Sequence, residues 1–281
     1  MSATFTILIP TWNNLPYLQR CVESLRKHSD HTHQVVLMVN EGVDGTLEWV
    51  QRQSDLEWVA SPTNIGICYG LNCCRERITA PYVVYANDDM YFLPHWDQRL
   101  LEAIGQAGTE AFMLSSTMIE PRGDNPCCVI ADFGDSLEHF QEEVLLQQAD
   151  HLTRDDWSGS TWPPVLMPLA LWDKVGGMSI EFSPGMYSDP DLSRKLWACG
   201  VRYFRGVGNS LVYHFGCKST GRVKHNHGRH TFLMKWGVSA NTFMHDFLHI
   251  GEPFQGLLPE PRAGKRFINK IKRIQSIIKE K

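Results

Sequence analysis

The sequence has no apolar run approaching the ~20 residues that span a bilayer, and no charged N-terminal region leading into an apolar one. It is therefore read as a cytoplasmic chain beginning at or near Met1. No Cys-x-x-Cys spacing occurs among its eight cysteines, although Cys73-Cys74 and Cys127-Cys128 are adjacent. Zinc-site and dithiol-redox readings have little support, and a disulfide framework is not expected in a chain of 281 residues. The thiols are expected to be buried or incidental. No Gly-x-Gly-x-x-Gly follows the first apolar run and no Gly-Lys-Ser/Thr occurs, which removes the common dinucleotide and P-loop fingerprints. Internal repeats and low-complexity segments are also missing.

What is present suits a soluble α/β domain. A hydrophobic fraction of 43% is enough for a sizeable core. Charge is uneven: Arg262 to Lys281 carries +7, leaving −11 on the residues before it, since the whole chain is formally −4. Within that tail Phe267, Ile271, Ile274 and Ile278 recur at helical spacing with basic residues opposite, predicting a basic amphipathic helix over about 264–279. Such a helix suits an anionic membrane surface, and docking onto the protein is the equal alternative.

Strands are predicted at Phe5–Pro10, Val35–Val39, Leu56–Ala60 and Tyr82–Ala86, with helices after each. The first helix carries Leu18, Cys21, Val22 and Leu25 on one face. Four successive βα units predict a mainly parallel, doubly wound sheet with right-handed crossovers. A helix at Trp96–Ala107 and a strand at Ala111–Met118 follow. From Glu120 to Pro164 periodicity dissolves, which marks functional irregular structure in a compact domain. Helices Leu169–Val175 and Pro190–Ala198 and strands Arg202–Val207 and Leu211–Tyr213 complete the pattern.

The stretch Tyr82-Val83-Val84-Tyr85-Ala86-Asn87-Asp88-Asp89-Met90 is a buried strand that ends in adjacent carboxylates. Unpaired carboxylates in a partly dry cleft are expensive, and hard oxygen ligands suit Mg²⁺ or Mn²⁺. An ordinary strand-end turn is the competing reading.

Several further segments stand in order: Thr6-Ile7-Leu8-Ile9-Pro10-Thr11-Trp12-Asn13-Asn14, then Asn40-Glu41-Gly42-Val43-Asp44-Gly45-Thr46, then Asn64-Ile65-Gly66. Gly176-Gly177-Met178, Tyr187-Ser188-Asp189-Pro190-Asp191-Leu192 and Val212-Tyr213-His214-Phe215 follow. The series resembles the inverting glycosyltransferases of family 2, with the GT-A (Rossmann-like) fold, over Phe5 to His214. The resemblance implies a divalent cation, Mn²⁺ or Mg²⁺, and a nucleotide-diphosphate sugar as donor. It places the donor among Pro10, Thr11, Asn13, Asn40, Asn64, Gly66, Asn87 and Asp88. It makes Asp89 and His214 metal ligands and Asp189 the general base that deprotonates an acceptor hydroxyl. His214 as a core histidine is the competing reading, as helix capping is for Asp189. Trp157 and Trp162, and Asp191 two residues beyond the base, are acceptor-side candidates; core burial competes for the tryptophans and helix capping for Asp191.

The sequence departs from the family in three places. Ser188 stands where a Glu is usual, Asn87 takes the first position of the Asp-x-Asp region, and Val39 or Asn40 occupies a position that often holds Asp. Uracil specificity is therefore not implied. Lys224-His225-Asn226-His227-Gly228-Arg229-His230 reads equally as a basic loop over the diphosphate or as a solvated loop. The expected organisation is a glycosyltransferase domain at 1–220, with a nucleotide half to about 118 and an acceptor half from 119, then a C-terminal extension over 221–281. The expected acceptor is a glycan or lipid-linked saccharide, and a membrane-binding tail would set the chain at the inner membrane face. The acidic body argues against nucleic acid. A nucleotidyltransferase, or a nucleotide-sugar or carbohydrate-binding protein without catalysis, are the rival readings.

Overall fold

Alternation along the first strand sets the core. In β1 (Phe5–Trp12) Phe5, Ile7 and Ile9 enter one hydrophobic cluster and Leu8 the other, as expected of a strand buried on both faces. The computed structural model describes residues 3–216 and 226–261, so the predicted tail helix over 264–279 lies outside the described residues. β2 (Gln34–Asn40), β3 (Leu56–Ser61) and β4 (Tyr82–Tyr85) join β1 in parallel in the order β3-β2-β1-β4. Register places Trp12 opposite Asn40 and Leu8 opposite Tyr85, so the C-terminal ends of three strands meet at one edge.

The crossover helices lie on both faces. α1 (Leu15–His28) buries Leu18, Cys21, Val22 and Leu25, the stripe its spacing predicts, each buried aliphatic contributing about 1.5–3 kcal/mol. A short α2 (Thr46–Val50) follows β2. α3 (Gly66–Cys73) is shorter than the expected run to Ile78, because a 3₁₀ turn at Arg75–Arg77 finishes it.

Beyond β4 the sheet is mixed rather than doubly wound in parallel. β5 (Met90–Phe92) leaves the carboxylate turn, α4 (Trp96–Gln106) covers the sheet, and β6 (Phe112–Glu120) runs two residues past its expected end. The irregular region contains β7 (Val129–Ile130), α5 (Glu142–Gln148) and β8 (Trp157–Ser158). β9 (Val165–Pro168) then inserts antiparallel between β4 and β6. α6 (Leu169–Val175) and α7 (Ser188–Ala198) follow. The two expected late strands are one, β10 (Tyr203–His214), whose register shifts between Val207 and Leu211. β10 pairs parallel with β6 and antiparallel with β5, which carries His214 back to the carboxylate turn.

Residues 226–261, expected as part of an extension, share this core. α8 (Gly228–Trp236) buries Phe232, and Phe243 and Leu248 join the cluster that holds Leu192, Leu196 and Trp197 of α7. The seven described cysteines are free thiols, five of them buried. Among the described residues no helix is long and apolar enough to cross a membrane.

Trp157 is structural. It is 1% exposed, its Nε1 donates to Thr117 Oγ1 at 2.9 Å, and its ring fills the space above Gly206 where no Cβ fits. Trp157→Ala should therefore lower stability by about 3–5 kcal/mol in urea unfolding, an aromatic-to-alanine loss in a packed core. A loss below about 1 kcal/mol would show that the ring is not part of the core.

Candidate active site

The strand ends surround a cleft of about 720 Å³. Pro10 and Thr11 of β1 line it beside Asn40, with Asn64 and Gly66 on the next loop and Asn87, Asp88 and Asp89 after β4. Asn40 is 3% exposed and its Oδ1 accepts the Ile65 N–H at 3.0 Å, so its carbonyl holds the following loop in place. Asn64 Oδ1 accepts from Gly66 N at 2.9 Å, an Asx turn that starts α3. Gly66 has φ +76°, and a Cβ there would lie 2.8 Å from Pro184 Cα. That close approach, with Ile67 N donating to Pro184 O at 2.9 Å, fastens the loop before α7 against the donor side.

Asn13 is a rim residue and does not line the cleft. Its Nδ2 donates to Glu41 Oε2 at 3.0 Å and its Oδ1 accepts from Val43 N at 3.0 Å. Glu41 also takes Trp12 Nε1 at 2.8 Å, tying the ends of β1 and β2 together. Glu41 was legible as a polar residue after a strand, but not as the hub of these loops.

Asp88 and Asp89 are 9% and 6% exposed. Burial, then the charge of Asp89, pushes the Asp88 carboxyl up to about 7, with Thr11 and Asn14 alongside pulling it partly back. Thr11 Oγ1 and Asn14 Nδ2 are nevertheless buried without a hydrogen bond of full geometry inside the protein. Beneath the turn, burial and the two carboxylates hold the Cys21 thiol well above its ordinary range.

His214 stands opposite. Its Nε2 lies 3.4 Å from Asp89 Oδ1 and its Nδ1 2.8 Å from Glu120 Oε1. Burial disfavours its charged form, but Asp89 and Glu120 outweigh it and hold the imidazole up at about 10. This is the donor set of a carboxylate–histidine–metal arrangement, with Glu120 fixing one ring nitrogen and the other turned towards Asp89. Among the described residues no group of three or more such side chains forms a cage on its own. Asp89 and His214 offer an oxygen and a nitrogen donor that would suit a hard divalent cation. Glu120 lies beyond the strand end predicted at Met118; an apolar run stopped by a carboxylate is the signal that points to it.

On the facing wall Asp189 opens the first turn of α7. Its Oδ1 is enclosed without a hydrogen-bond partner, and burial pushes its carboxyl up to about 7. A carboxylate poised near neutrality suits general-base work. Ser188, where a Glu was expected, turns its hydroxyl onto Gly185 O at 2.6 Å and is buried, so it serves the loop. Trp162 lines the cleft beside Pro163. Neither Asp191 nor Trp157 reaches it. Asp191 is fully buried, neither capping α7 nor facing an acceptor, and receives Trp236 Nε1 at 2.7 Å and Lys235 Nζ at 2.9 Å. Lys224 and His225 lie outside the described residues, whereas Asn226 and Gly228 are fixed parts of the fold, described below.

Residues 6–125 match the family model described as Glycosyl transferase family 2. The match spans less than half of the chain and makes this region similar to family 2 glycosyltransferases. The surrounding fold is GT-A. It is similar to S. aureus TarS (residues 1–349) at TM-score 0.53 and 16% identity, covering 75% of this chain and 60% of that one. GalNAc-T7, solved with UDP, GalNAc and Mn²⁺, aligns at TM-score 0.60 and 13% identity over 87% of this chain and 50% of its own. The mannosyltransferase PcManGT of Pyrobaculum calidifontis, solved with GDP-Man and Mn²⁺, aligns at 0.54 and 14% over 97% and 70%. A curated relative, the uncharacterized glycosyltransferase MG025 homolog of Mycoplasma pneumoniae, is 29% identical over 36% of each chain. The chain thus matches about a third of that relative's length.

Gly66→Ala should displace the loop before α7, because both the positive φ and the contact with Pro184 forbid a side chain. Transfer activity is expected to fall at least about tenfold with a native circular-dichroism spectrum; unchanged activity would show that the loop position does not matter.

Proposed function

We propose that this chain is a cation-dependent, inverting glycosyltransferase that moves a sugar from a nucleotide-diphosphate donor to a hydroxyl group of a glycan or lipid-linked saccharide. The observation that carries this reading is the pairing of two carboxylate stations across one cleft: Asp89 facing His214, and Asp189 with an enclosed, unpartnered oxygen. A carboxyl pushed up to about 7 with an open oxygen is poised to take a proton near neutrality, which favours catalysis over binding alone. The nucleotide-sugar and Mn²⁺ complexes of the similar structures support the donor class.

Thr11, with the open oxygen of its side chain, and Asp88 line the cleft and would take the nucleoside end of the donor. Asp89 and His214 would hold the cation, which supplies Lewis-acid neutralisation of charge on the departing diphosphate. Asp189 takes the proton from the acceptor hydroxyl as that oxygen bonds to the anomeric carbon. The bond from that carbon to the diphosphate oxygen breaks on the opposite face, and its electron pair leaves with the nucleotide. Attack and departure on opposite faces invert the anomeric centre. Trp162 offers an apolar face at the acceptor side of the cleft. A cytoplasmic site of action, at the inner membrane face if the tail contacts anionic lipid, completes the proposal.

Asp189→Asn should abolish transfer, by about 100-fold or more, while nucleotide affinity measured by titration calorimetry stays within about twofold. Lost nucleotide affinity would place Asp189 in the donor site instead. Stability gives a second check. The folded carboxyl titrates at about 7 against an ordinary 3.8, so ionising it destabilises the fold increasingly between those values and fully above about 7. Asp189→Asn should accordingly melt on the order of 10 °C higher than wild type at pH 8, and the gap should close as pH falls towards 4. A pH-independent gap would contradict the buried state of this carboxylate. Asp89→Ala should remove the cation's effect on nucleotide binding; cation-dependent binding that survives would refute its role as ligand.

A further inference from the structure

Asp189 follows a strained turn. Tyr187, two residues before it, has φ +71°, a left-handed conformation that a bulky residue adopts only when its surroundings impose it. The surroundings are specific. Asn226 Nδ2 points at the carbonyls of Phe182, Ser183 and Met186, at 2.6, 3.1 and 3.4 Å, and its Oδ1 accepts from Gly228 N at 2.9 Å. Acceptors on one side and an N–H on the other fix the orientation of the amide, and only a side chain with both donor and acceptor satisfies them. Gly228 packs directly beneath Met186 O and the Tyr187 ring, where a Cβ has no room. A second foot stands on the far side of Asp189: Lys235 and Trp236 of α8 hold the buried Asp191. The carboxylate that the Proposed function makes the base is thus bracketed by one segment, residues 226–236, which the family match over residues 6–125 does not include.

We propose that Asn226 is the positioning residue of Asp189: its amide clamps the loop Phe182–Met186, holds the strained Tyr187 turn and so aims the carboxylate into the cleft. Asn226 itself does not line the cleft, so it acts through the loop. The titratable groups that face Asp189 from the other packed elements are Cys68 of α3 and Tyr85 of β4, and burial pushes both up, so neither supplies charge near neutrality. The desolvation of Asp189 therefore depends on how closely its own loop is held. The proposal rests on the general-base reading for its function, but its test does not require a known donor or acceptor.

The test compares wild type with Asn226→Ala and, independently, Gly228→Ala, each with and without Asp189→Asn. The melting-temperature gap that Asp189→Asn produces is followed against pH. In the native background the gap should level off as pH passes about 7, where the folded carboxyl is half ionised. In either brace variant the loosened loop hydrates Asp189, and the gap should stop growing at least one pH unit lower. Backbone amides of 183–191 should exchange with deuterium at least tenfold faster, with the β-sheet unchanged. Where a donor and acceptor are in hand, kcat should fall at least tenfold with the donor KM within about twofold. A gap that levels off at the same pH as in the native background, with unchanged exchange in both variants, overturns the proposal. Transfer retained by Asp189→Asn, by contrast, overturns the general-base reading while leaving the mechanical result for Asn226 readable.

Discussion

The structure depends on a concentration of negative charge at the edge of a buried sheet. Asp88, Asp89, Glu120 and Asp189 line one cleft, and among the described lining residues His214 is the only side chain able to carry positive charge. Carboxylates removed from water raise their proton affinity or seek a cation, and both responses are visible. Asp88 and Asp189 are pushed up to about 7, while His214, held charged between Asp89 and Glu120 without a cation, would release its Nε2 proton on ligating one. Under the proposed function a cation would offset this charge as a diphosphate enters, which would couple cation binding to nucleotide binding.

The fold meets this requirement by convergence of distant segments. Parallel pairing of β1, β2 and β4 brings the donor-side residues to one edge, and the antiparallel return of β10 beside β5 delivers His214 to Asp89. The acceptor wall is built separately, by the loop that Gly66 admits and Asn226 clamps. The two walls meet through backbone contacts, Ile67 N to Pro184 O among them, rather than through a shared helix. The spacing between Asp89 and Asp189 is thereby set by packed neighbours.

Much of this was legible in the chain. The apolar runs of β1, β2 and β4, the stripe on α1 and the carboxylates after Tyr85 follow from local periodicity, and the resemblance ordered them. Pro10, Thr11, Asn40, Asn64, Gly66, Asn87, Asp88, Asp89, Trp162, Asp189 and His214 do line one cleft. What local pattern could not give was direction and burial. Val165–Pro168 reads the same whether it runs parallel or antiparallel, and β5 has only three residues. Trp157 and Trp162 are alike in sequence, yet one fills the space above Gly206 and the other faces the cleft. Asp191 differs from Asp189 only in that α8 arrives to cover it. Asn226 carries no local signature at all, because its partners lie some forty residues earlier.

The central claim is that Asp189 directs inversion on a donor held through a cation at Asp89 and His214. Proton NMR of the first sugar released or transferred from α-linked UDP- and GDP-sugar donors, with Mn²⁺ present and then chelated, tests it most directly. The account predicts the β-anomer as the initial product and turnover that stops on chelation. An initial α-anomer, or equal turnover after chelation, would contradict it.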